Sequence, residues 1–355
     1  MRRASILLLL AAAVAGALLG PWSDPSADAT AEVMPGSFTG YAFDACQAPS
    51  QQQMDVWRRH SPYRAVGVYV SGANRACAEQ RHLDRAWVAE QDRLGWLLLP
   101  LHVGRQASCA GVARWRLVSA DPADGYAAAA DQGREEADTA VAAARDLGIA
   151  TGSTLWYDLE GFDTRGRQCR DSTVAMLAGW TGRLHDHGFR SGVYSSASSG
   201  IAVLERRRRA GAGGLPDRVW VADWNGREDV HSPVLAADAW AGDRVHQFRG
   251  THTESYGGVP LVVDSNFLVT GGGTRAGRAA PAAATTPLLK FGSGGPAVRR
   301  LQRALNAAGP ARLRVTGTFL APTRDAVRAL QRRRGLPATG VVTGRLWRQL
   351  QEDRR

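Results

Sequence analysis

Two carboxylates, Asp158 and Glu160, stand two residues apart at the end of the run Leu155-Trp156-Tyr157-Asp158-Leu159-Glu160-Gly161-Phe162-Asp163. On a strand, residues i and i+2 point to one face, so Trp156, Asp158 and Glu160 share a side and Tyr157 and Leu159 take the other. Two acids beside an indole at the C-terminal end of a strand suit acid-catalysed cleavage of a glycosidic bond. One carboxyl protonates the leaving oxygen while the other meets the positive charge that develops on the sugar. Free Glu titrates near ~4.3, so such an acid needs burial or a neighbouring carboxylate to keep its proton.

Eight short strand-like runs surround this pair: 38–44, 65–70, 96–103, 154–160, 190–196, 218–224, 244–248 and 261–268. Most are continuously apolar, as parallel strands covered on both faces are. Helical patterns lie between several of them, at 83–94, 126–147, 172–187 and 198–209, and Gly148 and Gly188 read as helix stops. Strands alternating with helices in this number predict an α/β fold, a (β/α)8 TIM barrel. The later helical patterns are short or missing, which leaves room for irregularity in the second half.

In such a barrel the chemistry gathers at the C-terminal strand ends. The polar and aromatic residues predicted there are Asp44 on strand one, His102 on strand three, Asp158 and Glu160 on strand four, and Tyr194 on strand five. Trp224, Gln247, Asp264 and Asn266 follow on strands six to eight. One strand-end Asp usually caps a helix or accepts a loop hydrogen bond; four acids on one rim are hard to explain that way. Asp44, Asp158, Glu160 and Asp264 are therefore the candidate catalytic acids. Trp156, His102, Tyr194, Trp224, Gln247 and Asn266 are the candidate substrate-binding groups.

The chain of 355 residues is 44% hydrophobic, enough for a large core, and its formal charge of +11 is unevenly spread. Residues 288–355 hold 15 basic and 3 acidic side chains, whereas the remainder is nearly neutral. The N-terminus reads Met1-Arg2-Arg3, then an apolar run from Ile6 to Leu19, then Ala27-Asp28-Ala29-Thr30-Ala31. This is the pattern of a secretory signal peptide over residues 1–31, and the apolar run is short for a membrane span. The expected destination is extracellular or on the cell wall, with membrane contact only through the signal. Export makes Cys46, Cys77, Cys109 and Cys169 disulfide candidates. Each follows one of the first four strands. Pairing of adjacent loops, Cys46–Cys77 with Cys109–Cys169, is one arrangement; Cys46–Cys169 with Cys77–Cys109 stays open beside it. Their wide spacing, without a C-x-x-C or H-x-x-x-H pair, argues against a metal site. No cofactor motif is present, and none is expected.

The predicted domains are the signal, a barrel over 36–270, a Gly- and Ala-rich linker over 271–287, and an all-α three-helix module over 288–355. The last contains an echo: Ala297-Val298-Arg299-Arg300-Leu301-Gln302 returns as Ala326-Val327-Arg328-Ala329-Leu330-Gln331, and a third short helix carries Trp347. Phe291, Phe319 and Trp347 read as core, leaving no stacking platform for nucleic acid; the basic face suits acidic wall polymers.

The C-terminal segment resembles the peptidoglycan-binding module of cell-wall hydrolases through Leu289, Gly292, Val298, Leu301-Gln302, Leu305-Asn306, Val315-Thr316-Gly317-Thr318-Phe319, Ala326-Val327, Leu330-Gln331, Gly335-Leu336, Thr339-Gly340 and Leu346-Trp347. Thr316-Gly317 and Thr339-Gly340 stand where that family commonly has Asp-Gly. The large domain resembles the glycoside-hydrolase-like domain of secreted actinobacterial proteins, itself similar to the lysozyme family of (β/α)8 N-acetylmuramidases. The motifs are Gly40-Tyr41-Ala42-Phe43-Asp44, Trp156-Tyr157-Asp158-Leu159-Glu160, Gly192-Val193-Tyr194-Ser195, Trp220-Val221-Ala222-Asp223-Trp224, His246-Gln247-Phe248 and Val263-Asp264-Ser265-Asn266-Phe267. The resemblance implies that Glu160 protonates the leaving oxygen, that Asp158 stabilises the developing charge, and that Asp44 and Asp264 complete an acidic floor. It implies a wall-glycan hydrolase acting on peptidoglycan, and the protein is expected to be a monomer. The alternative is a wall-binding protein whose barrel holds glycan without cutting it.

Overall fold

The computed structural model describes residues 34–271, 289–293, 296–336, 338–342, 346 and 350. The predicted signal peptide, the predicted linker beyond Gly271, and Trp347 of the predicted third helix lie outside the described residues. Eight strands close into one barrel in sequence order: β1 (Phe38–Asp44), β2 (Tyr63–Ser71), β3 (Leu97–His102), β4 (Thr154–Asp158), β5 (Arg190–Ser196), β6 (Arg218–Ala222), β7 (Arg244–Tyr256) and β8 (Val259–Thr270). Helices follow the first five: α1 (Gln51–His60), α2 (Arg85–Arg93), α3 (Ala127–Asp146), α4 (Arg167–Asp186) and α5 (Ala202–Arg209). α1 is not among the helices expected from the sequence, although Ser50 and Gln53 form a full capping box at its start.

The second half is irregular in a specific way. No helix joins β6 to β7, and β7 turns through Gly257-Gly258 directly into β8. Both glycines have positive φ, 58° and 82°, as tight hairpin turns require. β8 therefore runs antiparallel to both β7 and β1. Asp264 and Asn266 are thus not at a C-terminal strand end; they reach the rim because the reversed strand enters the barrel there. Between Arg249 and Val263 the hairpin leaves the barrel wall and packs on α1, where Trp57 Nε1 donates to the carbonyl of Val259 at 3.0 Å.

Alternation along each strand separates two cores. Ala42, Ala65, Leu99, Leu101, Trp156, Trp220, Val245 and Leu268 fill the lumen. Phe43, Val66, Leu98, Leu155, Tyr157 and Val193 face the helices. Trp156 and Trp220 meet edge to face, ring centroids 5.5 Å apart, as the plug beneath the acids. Two glycines make room for them. A Cβ on Gly192 would overlap the Trp156 ring, and one on Gly67 would stand 2.6 Å from the Asp44 Cβ and 3.1 Å from the Trp220 ring.

In the C-terminal segment, α6 (Pro296–Ala307) and α7 (Ala321–Arg333) carry the repeated sequence, and Val298, Leu301, Val327 and Leu330 are buried together. The echo is also structural. Gln302 Oε1 accepts the Gly317 N–H at 2.9 Å, and Gln331 Oε1 accepts that of Gly340 at 2.8 Å. Each helix so holds one Thr-Gly turn, whose glycine has φ near 80°.

Candidate active site

The disulfides are the adjacent-loop pair, Cys46–Cys77 and Cys109–Cys169. They cross-link the loops after β1 and β2, and the loop after β3 to the first turn of α4. By closing loops of 31 and 60 residues, each stabilises the barrel by about 2–4 kcal/mol. Replacing Cys109 and Cys169 by Ser should lower the thermal midpoint by roughly 5–10 °C, measured by near-ultraviolet circular dichroism.

Asp44, Asp158, Glu160 and Asp264 line one cleft of about 550 Å³ at the barrel mouth. Asp44 closes β1 and pairs in register with Asp264 on β8. Asp158 closes β4, and Glu160 follows with its backbone N–H held by Gln106 Oε1 at 2.8 Å. The same amide donates through Nε2 to the Asp158 carbonyl at 2.9 Å. β3 has already ended at His102, so the Gln106 side chain continues the ladder that backbone would otherwise supply. Gln106→Ala removes both bonds; on the expectation from the sequence that the acid pair is catalytic, the result is a roughly 10–100-fold fall in kcat with little change in KM and an unaltered far-ultraviolet spectrum. Steady-state kinetics on a soluble glycan checks it.

Two buried amides hold the β1–β8 acids in place. Gln247 Oε1 accepts from Tyr194 Oη at 3.1 Å and Trp224 Nε1 at 2.9 Å, which turns its Nε2 toward Asp44 and Asp264, each 3.3 Å away. Asn266 Oδ1 accepts from Trp220 Nε1 at 2.8 Å, so its Nδ2 faces Asp44 Oδ2, also at 2.8 Å. Tyr69 Oη reaches Asp44 Oδ1 at 3.4 Å. Oδ1 of Asp158 and of Asp264 are buried without a donor among the described residues.

Burial and mutual repulsion raise the proton affinity of the whole cluster. Burial first, then the Asp264 charge, pushes Asp44 up to about 7. Asp158 is raised well above the usual carboxylate range by burial, then by Glu160, Asp44 and Asp264. Glu160 is raised by burial and then Asp264, and Asp264 by burial. The site therefore retains protons at a pH where free carboxylates have lost them. That is the condition a general acid needs.

Several predicted substrate contacts sit elsewhere. His102 is on the outward parity of β3 and 0% exposed. Its ring stacks on Trp180, its Nδ1 is 2.7 Å from Ser71 Oγ and its Nε2 2.7 Å from Glu136 Oε2, away from the acids. Trp156 is fully buried in the lumen as the floor under Asp158. Gln247 and Asn266 are buried and spend their hydrogen bonds on the acids and their neighbours, which makes them positioning groups. Tyr194 is partly exposed, and Trp224 is 68% exposed, its indole fixed at one edge by Gln247. Tyr69 and Gln106 also belong to the site, although neither is among the residues expected from the sequence. Tyr69 alternates with Ala65 and Gly67, so strand parity was enough to find it; Gln106 lies in a loop with no such signal.

An eight-stranded barrel with a reversed last strand and an acidic mouth has the architecture of a glycoside-hydrolase-like protein. Residues 55–268 match the model of the Rv2525c-like, glycoside hydrolase-like domain, and the chain belongs to that family. Residues 294–350 match the putative peptidoglycan binding domain. Among solved structures, an uncharacterized protein of B. stearothermophilus is 20% identical with a TM-score of 0.44, covering 64% of this chain and 94% of its own. The Mycobacterium tuberculosis Tat-secreted protein Rv2525c, in complex with L-tartrate, is 16% identical with a TM-score of 0.44, covering 66% and 96%. The Clostridium perfringens spore cortex lytic enzyme SleM is 16% identical with a TM-score of 0.43, covering 64% and 67%. No functionally curated protein matches the chain.

Proposed function

We propose that this is an exported peptidoglycan hydrolase that cleaves a glycosidic bond of the wall glycan by acid catalysis, tethered by its C-terminal module. The carrying observation is the cluster of four carboxylates in one cleft, where Asp44, Asp158 and Glu160 are each raised by the charges of neighbours in the cluster. Glu160, the less buried member of the strand-four pair, protonates the leaving oxygen as the bond breaks. Asp158, which lines the cleft beside it, accepts an N–H from the sugar's acetamido group, so that this group meets the positive charge as it forms; its raised proton affinity keeps Asp158 itself from acting as a fixed anion. Asp44 and Asp264, held by Gln247 and Asn266, keep the local potential negative and sustain the proton affinity of the pair. Trp224 offers an indole face for a pyranose ring at the rim.

The disulfides and the module's family support a location on or outside the cell wall, and residues 1–31 supply the export signal. The test is mass analysis of fragments released from purified peptidoglycan by the full-length protein. New reducing ends at an amino sugar are the expected product. Saturable binding with no fragments over hours would overturn hydrolysis in favour of a glycan-binding barrel.

A further inference from the structure

We propose that Arg75, Arg114 and Arg116, on the loops stapled by the two disulfides, form an anion-binding wall beside the acid cleft. It would take a carboxylate or phosphate carried by the glycan chain, and it rests on the wall-glycan reading above. Arg75 and Arg114 line the cleft that holds the four acids. Arg75 also lines an adjoining groove of about 460 Å³, together with Arg105 and Arg116 and with the carboxylates Glu135 and Glu136, of which Glu136 is taken up by Arg105 and His102. One guanidinium thus forms part of both concavities.

Of these side chains Arg75 is oriented but not neutralised, and Arg114 and Arg116 are exposed. Arg75 is half-buried and donates from Nε to the Gly72 carbonyl and from Nη1 to the Tyr69 carbonyl, both at 3.1 Å. Carbonyls fix a guanidinium without cancelling its charge, and burial accordingly lowers the proton affinity of Arg75. Arg116 is pinned through its main chain: its N–H donates to Asn74 Oδ1 at 2.9 Å, and its carbonyl accepts from Asn74 Nδ2 at 3.0 Å and the Gln106 N–H at 2.9 Å. From that anchored segment Arg114 reaches the cleft and Arg116 the groove. Among the described residues only Arg105 of these four makes an ion pair, with Glu136 at 3.6 Å.

The disulfides supply the rigidity. Cys77 follows Arg75 by two residues, and the segment carrying Arg114 and Arg116 begins beyond Cys109. A guanidinium already held, as that of Arg75 is, loses little entropy when a ligand binds, and a planar guanidinium fork suits carboxylate and phosphate oxygens. There is also an electrostatic need. An acidic mouth repels an anionic chain, and wall glycans carry carboxylates on their stem peptides and phosphates on attached polymers. Cations set beside the acids offset that repulsion while leaving the acids unpaired.

The test uses full-length protein and the Arg75→Gln/Arg116→Gln double variant, so the C-terminal module is constant. Calorimetric titration at low salt compares three soluble ligands: a neutral chitooligosaccharide, glycan strands with stem peptides but no phosphate polymer, and strands with that polymer retained. The expected result is a roughly 10–100-fold loss of affinity confined to anionic ligands. Loss already present on the stem-peptide strands names carboxylate; loss only where phosphate is retained names phosphate. Equal loss on the neutral oligosaccharide, or no loss on either anionic ligand, overturns the proposal. Should the double variant misfold, Arg114→Gln, which alters an exposed side chain, is read by the same criteria. Anion-selective binding by a wild-type protein that releases no fragments would sink the hydrolase reading alone. Normal cleavage with unchanged affinities in the variant would sink the anion wall alone.

Discussion

Glu160→Gln should reduce release of reducing ends from purified peptidoglycan by about 100–10,000-fold while binding of the same strands stays within a few-fold of wild type. The substitution keeps the side chain's size and one acceptor oxygen. The backbone N–H of residue 160 still has Gln106 as its acceptor, so the end of β4 stays in place. What is lost is a proton delivered to the leaving oxygen. Glu160 is raised by burial and by Asp264, so the acid form extends to higher pH than for a free Glu, and wild-type activity falls as pH rises past that shifted value. Undiminished cleavage by the variant would remove Glu160 from the reaction and leave Asp158 as the acid to test.

Asp44→Asn should make the barrel more stable at neutral pH and less active. The sign follows from linkage. Asp44 is raised from 3.8 to about 7 in the folded chain. Between those values the folded state binds more protons than the unfolded one, so its contribution to stability is greatest at acid pH and declines as pH rises through the window. The decline is on the order of 1 kcal/mol per pH unit, reduced by coupling to Asp264. Asn at this position carries no charge to desolvate. It retains an oxygen for Asn266 and Gln247, while its amide can donate to Tyr69 Oη. Thermal melts from pH 4 to 8 should therefore show a shallower loss of stability toward neutral pH for Asp44→Asn than for wild type. The midpoint at pH 8 should be higher by roughly 3–8 °C. Parallel slopes for the two proteins would mean that Asp44 is ionised throughout, and would contradict the raised proton affinity of the cluster.

These two results probe links of different origin. The Asp158–Glu160 pair was legible because strand parity is local, and although β4 ends at Asp158, two residues short of the predicted strand end, Glu160 still lines the same cleft. The same rule could have placed Tyr69 at the site and His102 away from it, since Leu97, Leu99 and Leu101 line the lumen and leave His102 on the other face. The eighth strand was harder. The tight turn at Gly257-Gly258 can be seen in the sequence, but its consequence, a strand entering the barrel from the rim, depends on which neighbours the hairpin pairs with.

Residue spacing and composition thus determined the strand-and-helix alternation, the acid pair at the end of one strand, the four acids as a set, and the repeated helix of the C-terminal segment. Each follows from periodicity or from the chemistry of single side chains. Tertiary structure alone decided the rest. Burial and proximity convert ordinary carboxylates into proton-retaining ones. The closed sheet makes Gln247 and Asn266 braces for Asp44 and Asp264, and takes Trp156 out of reach of any ligand as the floor beneath Asp158. Gln106, far along the chain from Glu160, reaches the end of β4 only because the loop after β3 folds back over it. Such roles depend on distances between residues remote in sequence, and no local pattern encodes those distances.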